Sequence, residues 1–390
     1  MPLDAKISRL VRNHQPSVIR EMFQKAAAYE GVISLGIGDP DFPTPPEVCR
    51  AALADALAGH THYTQSQGDP ELLAALAGYL NERYGFGVTP AQVLVTHGGM
   101  AALAFGMQAL LDPGDQVLIP EPCFPDYISH VEFAGGEVVY VPTRVTDGFL
   151  PRPAEIAARV TPRAKVLLLN SPNNPTGAVF TAEALEGLAR VAREHDLVVI
   201  SDEVYDRLVF EGRHLSIRNL PGMAERTIVI GSFSKSFAMT GWRVGWAVGP
   251  DWFLPHLLNV ATHLTSCPNA VSQRAGIAAL AQDPAGVAAM RQEFATRCRM
   301  VHQALAGLSG VTLAPPRGSF YLFPHIAGLA GQGRRFALEL LDTEQVVVIP
   351  GETFGPSGRD CLRLAATVDQ DHLAEALARL TRFLTQSWRA

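Results

Sequence analysis

The 390-residue sequence holds no apolar run long enough to cross a membrane, and no apolar segment follows the charges of residues 1–20. Neither a membrane span nor a signal peptide is therefore expected. Its five cysteines, Cys49, Cys123, Cys267, Cys298 and Cys361, lie far apart and form no CxxC pair. That spacing argues against a disulfide framework or a cysteine zinc site and fits reduced, buried thiols in a cytoplasmic protein. Charge is scarce: 18% of the residues are charged, and the net charge is −6. Without a general basic face, nucleic acid is not an expected partner, and anionic ligands must be met by local clusters. The closest histidine pair, His60 and His62, has no carboxylate motif beside it, which disfavours a metal hydrolase. There is no internal repeat and no low-complexity tract.

What is present is an apolar fraction of 47%, enough for a large packed domain and a smaller second one. Residues 18–29 carry helical spacing, and residues 32–35 form a short strand that runs into a turn. Four prolines then fall between Pro40 and Pro46, which makes this stretch a rigid crossing segment. From Pro46 onward helices alternate with short apolar strands at 93–96, 116–119, 137–141, 164–169, 197–201, 227–230 and 245–248. That rhythm predicts an α/β domain whose mainly parallel sheet is covered on both faces. Beyond Asp283-Pro284 the rhythm changes. A long helix at 286–308, short strands at 318–323, 346–349 and 361–364, and a final helix at 370–384 predict a smaller α+β domain. The expected division is an arm and part of the small domain at 1–46, a large domain at 47–283 and a small domain at 284–390.

Several strand ends carry residues suited to chemistry. SFSKSFAMTGWRVGW (232–246) follows the strand 227–230 and holds one lysine and one arginine. In a dry setting Lys235 would have a lowered pKa and attack carbonyls, while Ser232, Ser234 and Arg243 are donors suited to a phosphate. Taken alone, the string is equally readable as a solvated Ser/Gly loop. His97-Gly98-Gly99-Met100 opens a helix after the strand 93–96, where backbone N–H groups of Gly99 and Met100 favour an anion. NSPNNPTG (170–177) fixes Asn174 after a buried strand, unless it is only a turn. SDEVY (201–205) places Asp202 where it would pair with a ring nitrogen or cap a helix, with Tyr205 three residues on and Glu203 as a surface or supporting group. Phe124 offers a flat face for stacking, or a core aromatic.

Taken in order, IGDPDFPTP (37–45), YTQSQGDPEL (63–72), NSPNNPTG, SDEVY and SFSKSFAMTGWRVGW make the chain resemble the class I/II, fold-type I aminotransferases that depend on pyridoxal 5′-phosphate (PLP). The resemblance runs from about Ser8 to the segment around Arg363. It implies a seven-stranded sheet and a homodimer with shared sites. It also implies that Lys235 holds PLP covalently, Asp202 faces the ring nitrogen, Tyr205 and Asn174 bind the ring hydroxyl oxygen, and Phe124 stacks on the ring. The phosphate would lie among Gly99, Met100, Ser232, Ser234 and Arg243, with Tyr63 reaching the phosphate of the neighbouring subunit. Arg363 would grip the substrate α-carboxylate with Gly38 close by.

The implied reaction moves the amino group of an L-amino acid to a 2-oxo acid such as 2-oxoglutarate by a ping-pong mechanism, without nucleic acid or membrane partners. Some aspartate-using relatives carry a basic residue directly after the glycine pair, where this chain has Met100. No arginine occurs in LTSCPN (264–269), where another branch carries one. Neutral, apolar or aromatic side chains are therefore the expected substrates. A carbon–sulfur β-lyase on the same fold remains open, and a non-catalytic PLP-binding regulator is the remaining alternative.

Overall fold

The computed structural model describes residues 3–14, 16–281 and 284–388. Asp283, the expected end of the large domain, lies outside them, as do residues 1, 2, 389 and 390 at the ends of the expected segments.

The alternating apolar segments form one seven-stranded sheet. Its strands are β1 (Val93–Thr96), β2 (Gln116–Glu121), β3 (Glu137–Pro142), β4 (Ala164–Asn170), β5 (Val198–Asp202), β6 (Thr227–Ser232) and β7 (Gly245–Val248), in the spatial order β1-β7-β6-β5-β4-β2-β3. Strands β6 to β3 pair in parallel, and β7 runs antiparallel to both neighbours. Successive side chains on a strand point to opposite faces. Leu168, Ile200, Ile230 and Ala247 accordingly face the core beneath the helices Gly98–Leu110 and Leu254–Thr265, whereas Leu167, Leu169 and Val199 pack under Ala182–Glu194. Each such side chain, fully removed from water, contributes roughly 1.5–3 kcal/mol, so the sheet anchors the frame on both faces.

The parallel strands aim their carboxyl ends at one edge, where open α/β sheets hold ligands. The antiparallel β7 presents its start there instead. Arg243, which precedes β7, therefore reaches the same edge as Lys235, which follows β6.

The smaller unit gathers both ends of the chain. Ile33–Ser34 pairs in parallel with Val346–Val347, and Leu362–Ala365 pairs with Tyr321–Leu322 on one side and Ile349–Pro350 on the other. Met22, Ile33 and Leu35 share a core with Phe336, Leu340, Leu364 and Leu377. Its strands are shorter than the sequence spacing predicts. Ser319 sits at φ +55 and breaks the 318–323 run, and residues 346–350 change pairing partner at Val348. The long helix covers Pro284–Leu305 rather than 286–308, and the last regular helix ends at Arg382, followed by a wider turn over Phe383–Ser387.

Candidate active site

Between the strand ends of the large sheet and the smaller unit lies a cavity of about 280 Å³. Lys235 enters it from a one-turn helix, Phe233–Ser236, that follows β6 without a linker. Ser232 starts this turn: its Oγ accepts from the Ser234 amide at 3.1 Å and donates to the Ser234 hydroxyl at 2.9 Å. The Lys235 amine donates to the Gly38 carbonyl at 2.5 Å. Burial lowers its pKa to about 8; the cations Arg243 and Arg363 push the same way, and Asp39 opposes them. Such an amine has a neutral fraction near physiological pH far larger than that of an ordinary lysine, and this fraction is able to take a proton or attack a carbonyl.

Asp202, the last residue of β5, is buried. It accepts from the Tyr127 hydroxyl at 2.5 Å and the Val204 amide at 3.3 Å. Among the described residues it has no cationic partner. Burial pushes its carboxyl up to about 6 even though both hydrogen bonds favour the anion. Asn170, at the end of β4, ties the neighbouring strand ends together. Its Nδ2 donates to the Asp202 carbonyl at 3.0 Å and its Oδ1 accepts from the Asn174 amide at 2.8 Å. The loop that follows is held by its own amide groups, for Asn173 Oδ1 accepts from the amide and hydroxyl of Thr176. Asn174 is thereby fixed facing the cavity.

Opposite stands Arg363, on the smaller unit and 2% exposed. Its guanidinium donates to the Gly36 carbonyl at 2.6 Å and to Asn174 Oδ1 at 3.2 Å, and its carbon lies 4.7 Å from the Tyr321 ring centroid and 4.8 Å from that of Phe354. Its Nε has no partner, and among the described residues no carboxylate pairs with it. A buried guanidinium without a counter-ion is costly, and a carboxylate ligand would remove that cost through its matching fork.

The phosphate-compatible donors converge at the third corner. Arg243 Nη1 donates to the Thr240 carbonyl at 2.8 Å, and Arg243 itself is held at φ +53, a conformation disfavoured for any residue but glycine. Gly98 opens the helix Gly98–Leu110 at φ +75, and a Cβ there would press against the Arg243 guanidinium. The first amides of that helix have no intrahelical acceptor. An oxyanion placed between them, Ser232, Ser234 and Arg243 would meet donors only.

Of the residues singled out from the sequence, Gly38, Gly99, Met100, Phe124, Asn174, Asp202, Tyr205, Ser232, Ser234, Lys235, Arg243 and Arg363 all line this cavity. Tyr63 does not. It is 90% exposed, in a separate depression beside His97 and Cys267. Two readings change in detail. The carbonyl that touches Arg363 is that of Gly36, while that of Gly38 receives Lys235. Glu203 is not a surface group: it is buried, and accepts from Ser201, Ser216 and His214 at 2.7–2.8 Å. A carboxylate next to Asp202 gives no local sign of partners 11 and 13 residues away.

Sequence reasoning missed Tyr127 and Tyr321. Tyr127 follows Phe124 by three residues and stands edge-on to it, 5.5 Å between ring centroids. Tyr321 donates no sequence signal beyond its strand, yet its hydroxyl meets that of Tyr205 at 3.4 Å, and a Cβ on Gly38 would collide with it. Tyr127→Phe is expected to remove about 1.5 kcal/mol of charged hydrogen bonding to Asp202 and to lower kcat/KM roughly tenfold. Steady-state kinetics checks this, and an unchanged kcat/KM would deny Tyr127 that role.

The family comparison agrees with this geometry. Residues 30–380 match the model of the family described as aminotransferase class I and II. The chain belongs to that family. Its class of reaction is accordingly amino-group transfer. An aromatic-amino-acid aminotransferase of Thermococcus litoralis is 37% identical over 375 residues, 95% of this chain and 96% of that protein. An arginine–pyruvate transaminase of Pseudomonas aeruginosa is 40% identical over 351 residues, 90% and 89% of the two chains. The solved aspartate aminotransferase of Thermus thermophilus with maleate superposes with a TM-score of 0.90 at 37% identity, covering 96% of this chain and 99% of that one. Three differently named substrates at near-equal identity leave side-chain preference to the lining of this cavity. As a group, class I and II aminotransferases share the fold-type I architecture seen here.

Proposed function

We propose that the protein is a PLP-dependent aminotransferase moving the amino group of an L-amino acid with a neutral, apolar or aromatic side chain to a 2-oxo acid such as 2-oxoglutarate. The observation that carries this is the placement around one cavity of an amine of lowered pKa, a buried carboxylate lacking a cation and a buried guanidinium lacking an anion. Each deficit fits one part of the cofactor–substrate pair: a carbonyl, a protonated ring nitrogen and an α-carboxylate. The donor-only corner at Ser232, Ser234, Arg243 and the helix Gly98–Leu110 fits the phosphate.

When bound, PLP supplies a carbonyl for amines and a ring that accepts carbanion charge. The chain does the rest. Arg363 binds and orients the substrate carboxylate. Lys235, once free, would carry the proton from the substrate's Cα to the carbon of the cofactor's former carbonyl. Asp202, oriented by Tyr127, would supply the counter-charge that keeps the ring nitrogen protonated. Tyr205 and Asn174 would donate to the ring hydroxyl oxygen, and Phe124 would cover the ring face. Ile19, Met100 and Leu103 line the remaining wall, where no further free cation stands among the described lining residues, which supports an uncharged substrate side chain.

The same reading makes the active form a homodimer in which Tyr63 serves the neighbouring site, and a cytoplasmic protein; among the described residues no helix is long and apolar enough to cross a membrane. Large and small domains would divide near residues 46 and 283.

The deciding experiment mixes purified holoenzyme with a panel of amino acids, first without any 2-oxo acid and then with pyruvate or 2-oxoglutarate, following the visible cofactor band and 2-oxo acid release. Half-reaction with apolar or aromatic amino acids is the expected result. Pyruvate and ammonia from cystathionine would replace this reading with the β-lyase, and absence of any cofactor band would overturn both. Arg363→Lys keeps the charge but loses the fork, and is expected to raise KM for every amino acid by roughly 30-fold or more with a smaller change in kcat. Equal KM values in mutant and wild type would place the carboxylate elsewhere.

A further inference from the structure

Behind the lysine's short helix lies a second pocket of about 510 Å³ that shares no lining residue with the first. It is formed by the end of the helix Pro70–Tyr84, the segment after β5 and the helix Pro284–Leu305. Its walls carry Arg83, Arg207, Arg213 and Arg291, and among the described residues none of the four is in an ion pair. Arg83 Nε donates to the Tyr84 hydroxyl at 3.1 Å, and the Arg207 guanidinium lies 5.4 Å from the Phe237 ring centroid with its buried Nε unpartnered.

His214 adds another unpartnered donor. Its side chain is 2% exposed; Nε2 meets Glu203 at 2.7 Å, while Nδ1 is buried without a partner. The Glu203 carboxylate favours the protonated ring, which makes the buried Nδ1 an N–H group within the pocket wall.

The acids present do not balance these cations. Glu82 and Asp206 are the two carboxylates of the lining, set against four guanidiniums, which leaves two positive charges uncompensated. Asp206 is moreover saturated. It accepts from Tyr84, from Ser236 at 2.6 Å, from Tyr79 at 3.3 Å and from the Arg207 amide at 2.8 Å. In a chain of net charge −6, this is a local concentration of unpaired cations against the global sign.

We propose that this pocket binds a small divalent oxyanion, a phosphate group carried either as free phosphate or as a phosphomonoester. Guanidinium forks match phosphate oxygens two at a time, and the two charges left uncompensated among the four arginines equal those of a divalent oxyanion. Asp206, on the inner wall, receives the hydroxyl of Ser236, the residue after Lys235. The anion would therefore rest behind the lysine's support and outside the substrate cavity.

The test is calorimetric titration of the holoenzyme, whose own cofactor occupies the other phosphate corner, with inorganic phosphate and separately with glycerol 3-phosphate. Potassium chloride holds the ionic strength constant. Saturable binding is expected, weakened about tenfold by Arg213→Ala and by Arg291→Ala and unchanged by Arg152→Ala, a surface arginine paired with Asp147. Tighter binding of one ligand than the other identifies the source. No saturable heat beyond the chloride control, or equal affinity in all the variants, overturns the site. Circular dichroism of each variant confirms that these half-exposed or exposed positions leave the fold intact.

Discussion

Lys235→Ala is expected to lower kcat at least about 10³-fold and to erase the visible band of covalently held cofactor, while PLP still binds through the phosphate corner. The size follows from the loss of both roles proposed for one amine, covalent anchoring and proton transfer, the second alone being worth roughly 10²–10⁴. Fold should survive, because the Lys235 amine makes one hydrogen bond, to the Gly38 carbonyl, and the helix turn is held by Ser232 and Ser236 rather than by the lysine. The wild-type amine also has a pH signature. With its pKa lowered to about 8, it is protonated below that value and neutral above it. PLP capture by the apoprotein should therefore accelerate as pH rises to about 8 and then level off. A plateau delayed to the range of an ordinary lysine would show that the cavity does not desolvate the amine, and a mutant that turns over at the wild-type rate would end the assignment altogether.

How much of this was legible depends on distance along the chain. The ends of β1, β4, β5 and β6 could be read because a short apolar run followed within two residues by Gly, Asn, Asp or Ser is a local pattern. The strands Val93–Thr96 and Gly245–Val248 fall at the predicted bounds. The antiparallel direction of β7 is not local, since a four-residue apolar strand has no sign of direction. It is that direction which explains why an arginine before a strand and a lysine after one meet. Tyr321 and Gly36 act on residues far from them in sequence, and Glu203 finds His214 and Ser216 only after the loop beyond β5 turns back. In the smaller unit, two-residue strands leave no periodicity to read. The sequence resemblance located the residues of the cavity; the structure supplied the unpaired states of Asp202 and Arg363, which no motif records.

Asp202→Asn is expected to separate activity from stability. Activity should fall roughly 10²–10³-fold, because a neutral amide cannot hold the ring nitrogen protonated, and charge stabilisation of this kind is worth about 3–4 kcal/mol where single groups have been removed. The apoprotein, in contrast, should become more stable. The folded carboxyl titrates near 6, above its ordinary value of 3.8, because burial outweighs the hydrogen bonds from Tyr127 and Val204. The native state thus binds the extra proton between those two values. The stability linked to it is fully present below pH 3.8 and is lost as pH rises through about 6. At pH 7 the unpaired anion costs the apoprotein up to about 3 kcal/mol, which asparagine avoids while still accepting from Tyr127. The mutant's apo Tm should exceed the wild type's by a few degrees at pH 7, with the gap closing toward pH 4. In the holoenzyme a ring cation would pair with Asp202 and the order should reverse. A gap independent of pH, or one of the same sign with and without cofactor, would mean that Asp202 does not face the ring nitrogen.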